Sequence, residues 1–262
     1  MPTKEAEKFV SSNILEGMTS ISAILNAQGQ GYNDRTVRSV WVDANRVGKL
    51  SRELRFLRAK AKECQFEIKT VTSEEIAAHV IGNSHGGVIA FCTERTIPRL
   101  IAKNIVPNGF YVYLEGIEDP YNFGYTLRSL YAAGVDGVIL SPRNWMSAGG
   151  VVARSSAGAS ELLPLYLAEP DSLVELFHAA NYCVYAAGIR DSVSIYEAKL
   201  NHPLLLIIGG EKRGISRALL DRADQIVRID YGREFRGSLS AASAATVMAF
   251  EVMRQNQFKM SD

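Results

Sequence analysis

The sequence has little of what builds a metal centre or a disulfide framework. Its three cysteines, Cys64, Cys92 and Cys183, are odd in number, widely spaced and form no CxxC pair; reduced thiols in apolar surroundings are expected. The four histidines, His79, His85, His178 and His202, are scattered without an HExxH pattern, so no metal is expected. No apolar run approaches the ~18 to 20 residues that span a bilayer, and the first residues, MPTKEAEKFVSSN, lack the apolar core of a signal peptide. A soluble cytoplasmic protein with no membrane partner is the expectation. Charge of one sign is missing as well, since 29 Lys and Arg meet 28 Asp and Glu for a net charge of +1. No GxGxxG follows a strand pattern, which excludes a dinucleotide fingerprint. Gly209 and Gly214 have the step of a phosphate loop, but Ile215 stands where the phosphate-binding lysine belongs, which disfavours a nucleotidase.

What is present is an ordinary globular balance, 47% hydrophobic and 22% charged, with helix and strand patterns in alternation. A helix over 11–27, a Gly-rich turn, the strand TVRSVWVD, a basic helix, the strand FEIKTV, a short helix after Ser73 and the strand GGVIAFC predict a small αβα sandwich over residues 1–95. Residues 96–106, near Pro98, Pro107 and Gly109, read as a linker. Residues 107–262 form a second α/β domain. Its strands FYVYLEG, GVIL, LPLYL, YCVYAAG, LLLIIGG and QIVRID are continuous apolar runs, as in a parallel sheet with helices on both faces.

The near-neutral total conceals a basic segment. Between 46 and 62 lie Arg46, Lys49, Arg52, Arg55, Arg58, Lys60 and Lys62 against the single acid Glu53. Leu50, Leu54, Leu57 and Ala61 recur at helical spacing, so an amphipathic helix is expected with its cations in water. Those cations are either a solvated face or a phosphate-binding one.

Three loops of the second half follow a strand and carry polar or glycine residues, at the strand ends where such sheets bind ligands. In DPYNFGYTLRS, Asn122 can cap a helix and Gly134 can close it, with Arg128 a surface cation; the same residues can equally serve a site. In LLLIIGGEKRGIS, Glu211 stands beside a glycine loop and can pair with Lys212 or Arg213. In DYGREFRGSLSAASAA, Ser238 or Ser240 can cap the last helix, and Arg233, Glu234 and Arg236 place charge near the loop mouth.

Taken in order, PYNFGYTLRS, LLLIIGGEKRGIS and IVRIDYGREFRGSLSAASAA resemble the three motifs of the TrmH/SpoU family, SPOUT-class RNA ribose 2'-O-methyltransferases, and RSSAGASELLPLYL is similar to that family's SAGA segment. The front domain resembles, more loosely, the ribosomal-protein-like RNA-binding domain of the rRNA-modifying branch. The resemblance implies a C-terminal trefoil knot, S-adenosylmethionine as cofactor, a homodimer, and RNA as substrate, rRNA rather than tRNA. It implies Asn122, Arg128, Glu211, Ser238 and Ser240 as catalytic residues, and Gly188, Gly209, Gly210, Gly214, Ile229, Ser238 and Leu239 around the cofactor. Arg46, Lys49, Arg52, Arg55 and Arg58 would then bind RNA. The third motif departs from the family's Ser-Leu-Asn, since Ser240 replaces the amide with a shorter hydroxyl. That substitution leaves a non-catalytic RNA-binding or ribosome-assembly protein as the alternative.

Overall fold

The computed structural model describes residues 13–80, 84–142, 145, 147–210 and 213–257. In chain order the first elements are β1 (Ile14–Glu16), α1 (Gly17–Ala27), β2 (Val37–Asp43), α2 (Ser51–Cys64), β3 (Glu67–Val71), α3 (Ser73–Ala77) and β4 (Val88–Cys92). Next come β5 (Phe110–Glu115), α4 (Pro120–Ala132), β6 (Gly137–Leu140), α5 (Gly149–Ser155), α6 (Ala159–Leu162), β7 (Leu165–Leu167) and α7 (Pro170–Ala179). The chain finishes with β8 (Cys183–Ala187), β9 (Val193–Ser194), β10 (Leu204–Gly209), α8 (Arg217–Leu220), β11 (Gln225–Arg228) and α9 (Ala241–Gln257). Among the described residues, no helix is long and apolar enough to cross a membrane.

Two compact units emerge. The front unit takes residues up to Thr96 and also 144–162, a segment that the sequence reading had placed in the second domain. Its sheet has the order β1-β4-β2-β3. Leu15, Ile21, Ile24, Val40, Leu54, Leu57 and Ala153 share one core. The helix expected from residue 11 begins only at Gly17 (φ +78), because Ile14–Glu16 pair antiparallel with β4, Ile14 opposite Phe91. Here a tertiary pairing overrides a helical pattern. The basic segment is likewise divided. Residues 44–49 form a 3-10 turn capped by Asp43, whose side chain accepts from Asn45 N at 2.9 Å, and α2 starts after Leu50. Thr72 and Glu75 close a capping box at α3, which fixes its start.

The front unit also encloses charge. Arg35, Arg95 and Glu161 are 1%, 6% and 0% exposed. Glu161 lies 3.6 Å from the Arg35 guanidinium and accepts from Asn33 Nδ2 at 2.9 Å, while Arg95 donates to Ser160 O. Cys92 is buried in this unit, and burial pushes its thiol up to about 12. Cys183, expected in apolar surroundings, is instead exposed at the start of β8.

The second unit holds a seven-stranded sheet in the order β7-β6-β5-β10-β8-β11-β9. All its ladders are parallel. Leu173, Val174 and Phe177 of α7 pack with Tyr111, Tyr113, Ile139, Val184, Leu205 and Ile207. Strand residues alternate in direction, so the equally buried Phe110, Val112, Leu114, Leu204 and Leu206 supply the other face, and α9, absent from that cluster, packs on β10. The short strand β9 had no sequence signal. The presumed linker is part of this unit: Leu100 N donates to Leu167 O and Leu167 N to Pro98 O, both at 2.8 Å, and Leu100 joins the core. Helix α4 is capped by Asp119, which accepts from Asn122 N at 2.8 Å, so capping belongs to Asp119 and not to Asn122. Its end at Gly134 (φ +79) is a Schellman motif, with Val135 N bonded to Leu130 O and Gly134 N to Tyr131 O at 3.1 Å.

Candidate functional site

At the carboxyl ends of β8, β10 and β11 the second unit opens a cleft of about 660 Å³, within the range of small-molecule sites. Three loops wall it: the residues after Ala187, those after Ile208, and the stretch from Arg228 to Leu239. Gly188, Gly209, Gly210, Gly214, Ile229, Ser238 and Leu239, all singled out from the sequence, line it together. Ile189, Ile215, Leu220, Val227 and Met248 make its walls apolar.

The glycines are explained by one loop pressing on another. A Cβ at Gly209 would overlap the backbone of Gly214 and lie 2.6 Å from Ile215 N, and one at Gly210 would overlap Gly116. Gly210 and Gly214 form an antiparallel bridge with Gly214 N bonded to Gly210 O at 3.0 Å, and Gly214 has φ +65. Glu115, at the end of β5, accepts from Ser216 N at 2.9 Å and pins the far side of the loop. The sequence reading missed Glu115, which looks like an unremarkable strand-end acid. Absent side chains let the backbones close up, and that closure shapes the cleft.

The third loop is folded upon itself. Arg228 Nε donates to Asp230 at 2.8 Å, and the Ser194 hydroxyl together with Arg228 holds the Asp230 carboxyl below its usual range. The Tyr231 phenol accepts from Leu239 N at 3.1 Å, so the main-chain group expected to face a cofactor already has a partner. Tyr231 and Phe235 have ring centroids 5.8 Å apart at 59°. A Cβ on Gly237 would lie 2.5 Å from Phe235 Cζ, so glycine leaves room for that ring. Arg228, Asp230, Tyr231 and Phe235 were not assigned from the sequence; two aromatics in a glycine-bearing loop were the available signal.

The remaining expected residues lie elsewhere. Ser240 is not among the lining residues: its hydroxyl accepts from Ser243 N at 3.1 Å and its carbonyl from Ala244 N at 2.9 Å, which makes it the N-cap of α9. Its capping expectation holds, and its hydroxyl is committed to the helix. Asn122 and Arg128 sit on α4 and do not line the cleft of their own chain; Asn122 is half-buried and Arg128 exposed. Glu211 lies outside the described residues. Arg46, Lys49, Arg52, Arg55 and Arg58 are all exposed on the front unit, the first two on the 3-10 turn and the others on α2.

A cleft with apolar walls and a polar rim of Arg213, Arg228, Asp230 and Arg236 can take a flat molecule of cofactor size and present it to an anionic second reactant. Comparison with known proteins bears on which. The model of the SpoU rRNA Methylase family matches residues 109–250. A 23S rRNA (guanosine-2'-O-)-methyltransferase RlmB of Shewanella oneidensis is 26% identical over 253 residues, covering 94% of this chain and 98% of that protein. The RlmB of Xylella fastidiosa strain Temecula1 is 30% identical over 226 residues, 84% and 89% of the two chains. Among solved structures, the SpoU methyltransferase AviRb of Streptomyces viridochromogenes in complex with the cofactor AdoMet superposes with a TM-score of 0.74 at 22% identity, covering 95% of this chain and 91% of that one.

Proposed function

The chain belongs to the SpoU rRNA methylase family, and from that premise we propose that it transfers a methyl group from S-adenosylmethionine to a ribose 2'-hydroxyl of ribosomal RNA. The observation that carries this reading is the convergence of seven sequence-designated residues on one cleft at the strand ends of a parallel sheet. The cleft suits the cofactor: its volume is of the right order, Ile189, Ile215, Ile229 and Leu239 offer apolar contact for an adenine, and backbone edges lie between them.

Bound there, S-adenosylmethionine supplies a methyl carbon activated by a sulfonium. The protein's share of the work is to position the ribose and to stabilise negative charge on its oxygen as the proton leaves. Arg128 fits the second task as a permanent cation, and a guanidinium with pKa above ~12 is ill suited to act as a base. Because Arg128 does not line its own chain's cleft, we propose a homodimer in which each α4 completes the other subunit's site. Tyr121, Tyr125 and Arg128 share one exposed face of α4, and exposed Phe250 lies on α9, which α4 contacts through Thr246 and Ser129. An aromatic face of this kind marks an association surface. We read the strand order β5-β10-β8-β11, with Gly210 closing against Gly116, as the trefoil knot of this family. The exposed arginines of α2 bind RNA phosphates, and the location is the cytoplasm.

Titration calorimetry with S-adenosylmethionine and mapping of ribose methylation on 23S rRNA from cells with and without the gene test the reading. Saturable binding and a methyl mark lost with the gene are expected. A chain that binds no S-adenosylmethionine overturns it in favour of an RNA-binding relic. Sedimentation equilibrium tests the dimer, and a monomer mass at micromolar concentration would remove it.

A further inference from the structure

The loop from Asp230 to Leu239 puts more on the cleft rim than a cofactor needs. S-adenosylmethionine carries a sulfonium, an ammonium and one carboxylate, so its net charge is +1. Among the described residues lining the cleft, the charged ones are Arg213, Arg228, Arg236 and Asp230. Asp230 is paired with Arg228 at 2.8 Å, which leaves Arg213 and Arg236 as an excess of positive charge. That excess is more than the single carboxylate of the cofactor can pair, and it attracts a polyanion. Beside it lies Phe235, 59% exposed and yet held by Tyr231 on one side and the bare backbone of Gly237 on the other. The phenol that braces it is itself bonded to Leu239 N at 3.1 Å, so the ring stands on a closed loop. An exposed ring held in place in a cleft that Arg213 and Arg236 also line is the arrangement that binds single-stranded nucleic acid, the ring stacking a base and the cations meeting phosphates.

We propose that this rim is the receptor for the target nucleotide: an unpaired RNA base stacks on Phe235 while Arg213 and Arg236 meet its neighbouring phosphates. The assignment rests on the methyltransferase reading and specifies its substrate side. It separates two sources of the same base-and-ribose chemistry, giving the apolar inner walls to the cofactor and the aromatic, cationic rim to RNA. It also gives a task to the exposed Phe235 ring, whereas Tyr231 is accounted for by its bond to Leu239 N.

The test uses the full chain and a hexaribonucleotide of uridines with one central 2-aminopurine. Stacking on Phe235 quenches 2-aminopurine fluorescence. Phe235→Leu should weaken oligonucleotide binding about 5- to 100-fold and abolish the quench, and Phe235→Trp should restore both. Arg213→Gln with Arg236→Gln should lower the salt slope of binding by about 1.4. Calorimetry on the same variants must show a smaller loss for S-adenosylmethionine than for the oligonucleotide. The proposal is overturned if Phe235→Leu keeps affinity and quench, or if it weakens S-adenosylmethionine at least as much, which would make Phe235 a cofactor wall. Failure of the wild-type chain to bind S-adenosylmethionine removes the methyltransferase reading instead, while a quench that depends on Phe235 would still support a nucleotide receptor.

Discussion

Arg35, Arg95 and Glu161 lie inside the front unit at 1%, 6% and 0% exposure, whereas β5 and β10 of the second unit bury apolar and aromatic side chains and carry their one charged residue, Glu115, at a strand end. The two units solve the same packing problem in opposite ways. In the front unit, charge holds the 149–162 helices in place: Glu161 meets Arg35 and Asn33, and Arg154 donates to Glu16 at 3.0 Å. Burying such pairs adds little net stability, but removing one partner leaves a buried charge uncompensated, which ties these helices to this unit. In the second unit, specification is steric, because Gly209 lets its loop fold back onto Gly214 and Gly210 lets that loop touch Gly116, where any side chain would force the backbones apart. Charge inside one unit acts as an address, and missing atoms in the other act as a mould.

The comparison can be broken at its strongest point by Glu161→Gln. This change removes the carboxylate that faces the buried Arg35 guanidinium and the stronger of the two carboxylates acting on Arg95, and should cost about 3 to 5 kcal/mol in denaturant unfolding. A loss below about 1 kcal/mol would mean that the charges are decoration. Next in size is Gly209→Ala, where the new methyl meets the backbone of Gly214. It should cost about 1 to 3 kcal/mol by overpacking and weaken S-adenosylmethionine at least roughly tenfold by calorimetry, since closing that contact distorts the cleft.

A smaller effect sharpens the contrast between inner and outer charge of the front unit. Replacing Arg52, Arg55 and Arg58 by alanine should leave stability within about 0.5 kcal/mol while lowering the salt slope of RNA binding by about 2. An unaltered slope would return that face to solvent.

The smallest effect concerns Asp43, whose carboxyl accepts from the Ser73 hydroxyl at 2.7 Å and is thereby held below its usual range. A carboxyl depressed in the folded state stabilises above its unfolded pKa, and that stability is lost as pH falls through the folded value. Asp43→Asn should therefore destabilise at pH 7, with the gap to wild type closing below about pH 4. A gap that persists at low pH would assign Asp43 a role in shape alone.

How much could be read in advance follows the same division. The continuous apolar runs of the second half gave its parallel strands directly, because strands covered on both faces need no alternation. Leu54 and Leu57 gave the buried edge of α2. The cleft residues came from the ordered motifs. What was illegible depended on distant partners. Ile14–Glu16 are a strand only because β4 offers an edge, and Leu100 is core only because Leu167 bonds across to it. Asp119 took the capping role from Asn122 through a geometry that spacing alone leaves open between them. Glu115 became a loop anchor across 101 positions of sequence. Ser240 could be read either as cap or as site, and the bond from Ser243 N shows the capping role.

The excursion of residues 144–162 has a practical corollary. Since unit membership changes at Thr96, at Arg143 and again at Leu163, three covalent strings join the two bodies where a linear arrangement would have one. A single protease nick after Thr96 therefore separates nothing. A gene truncated to begin there would still encode Glu161 and the buried faces of α5 and α6 with their hosts removed, so that expressing either half alone calls for excising or grafting that insert as well.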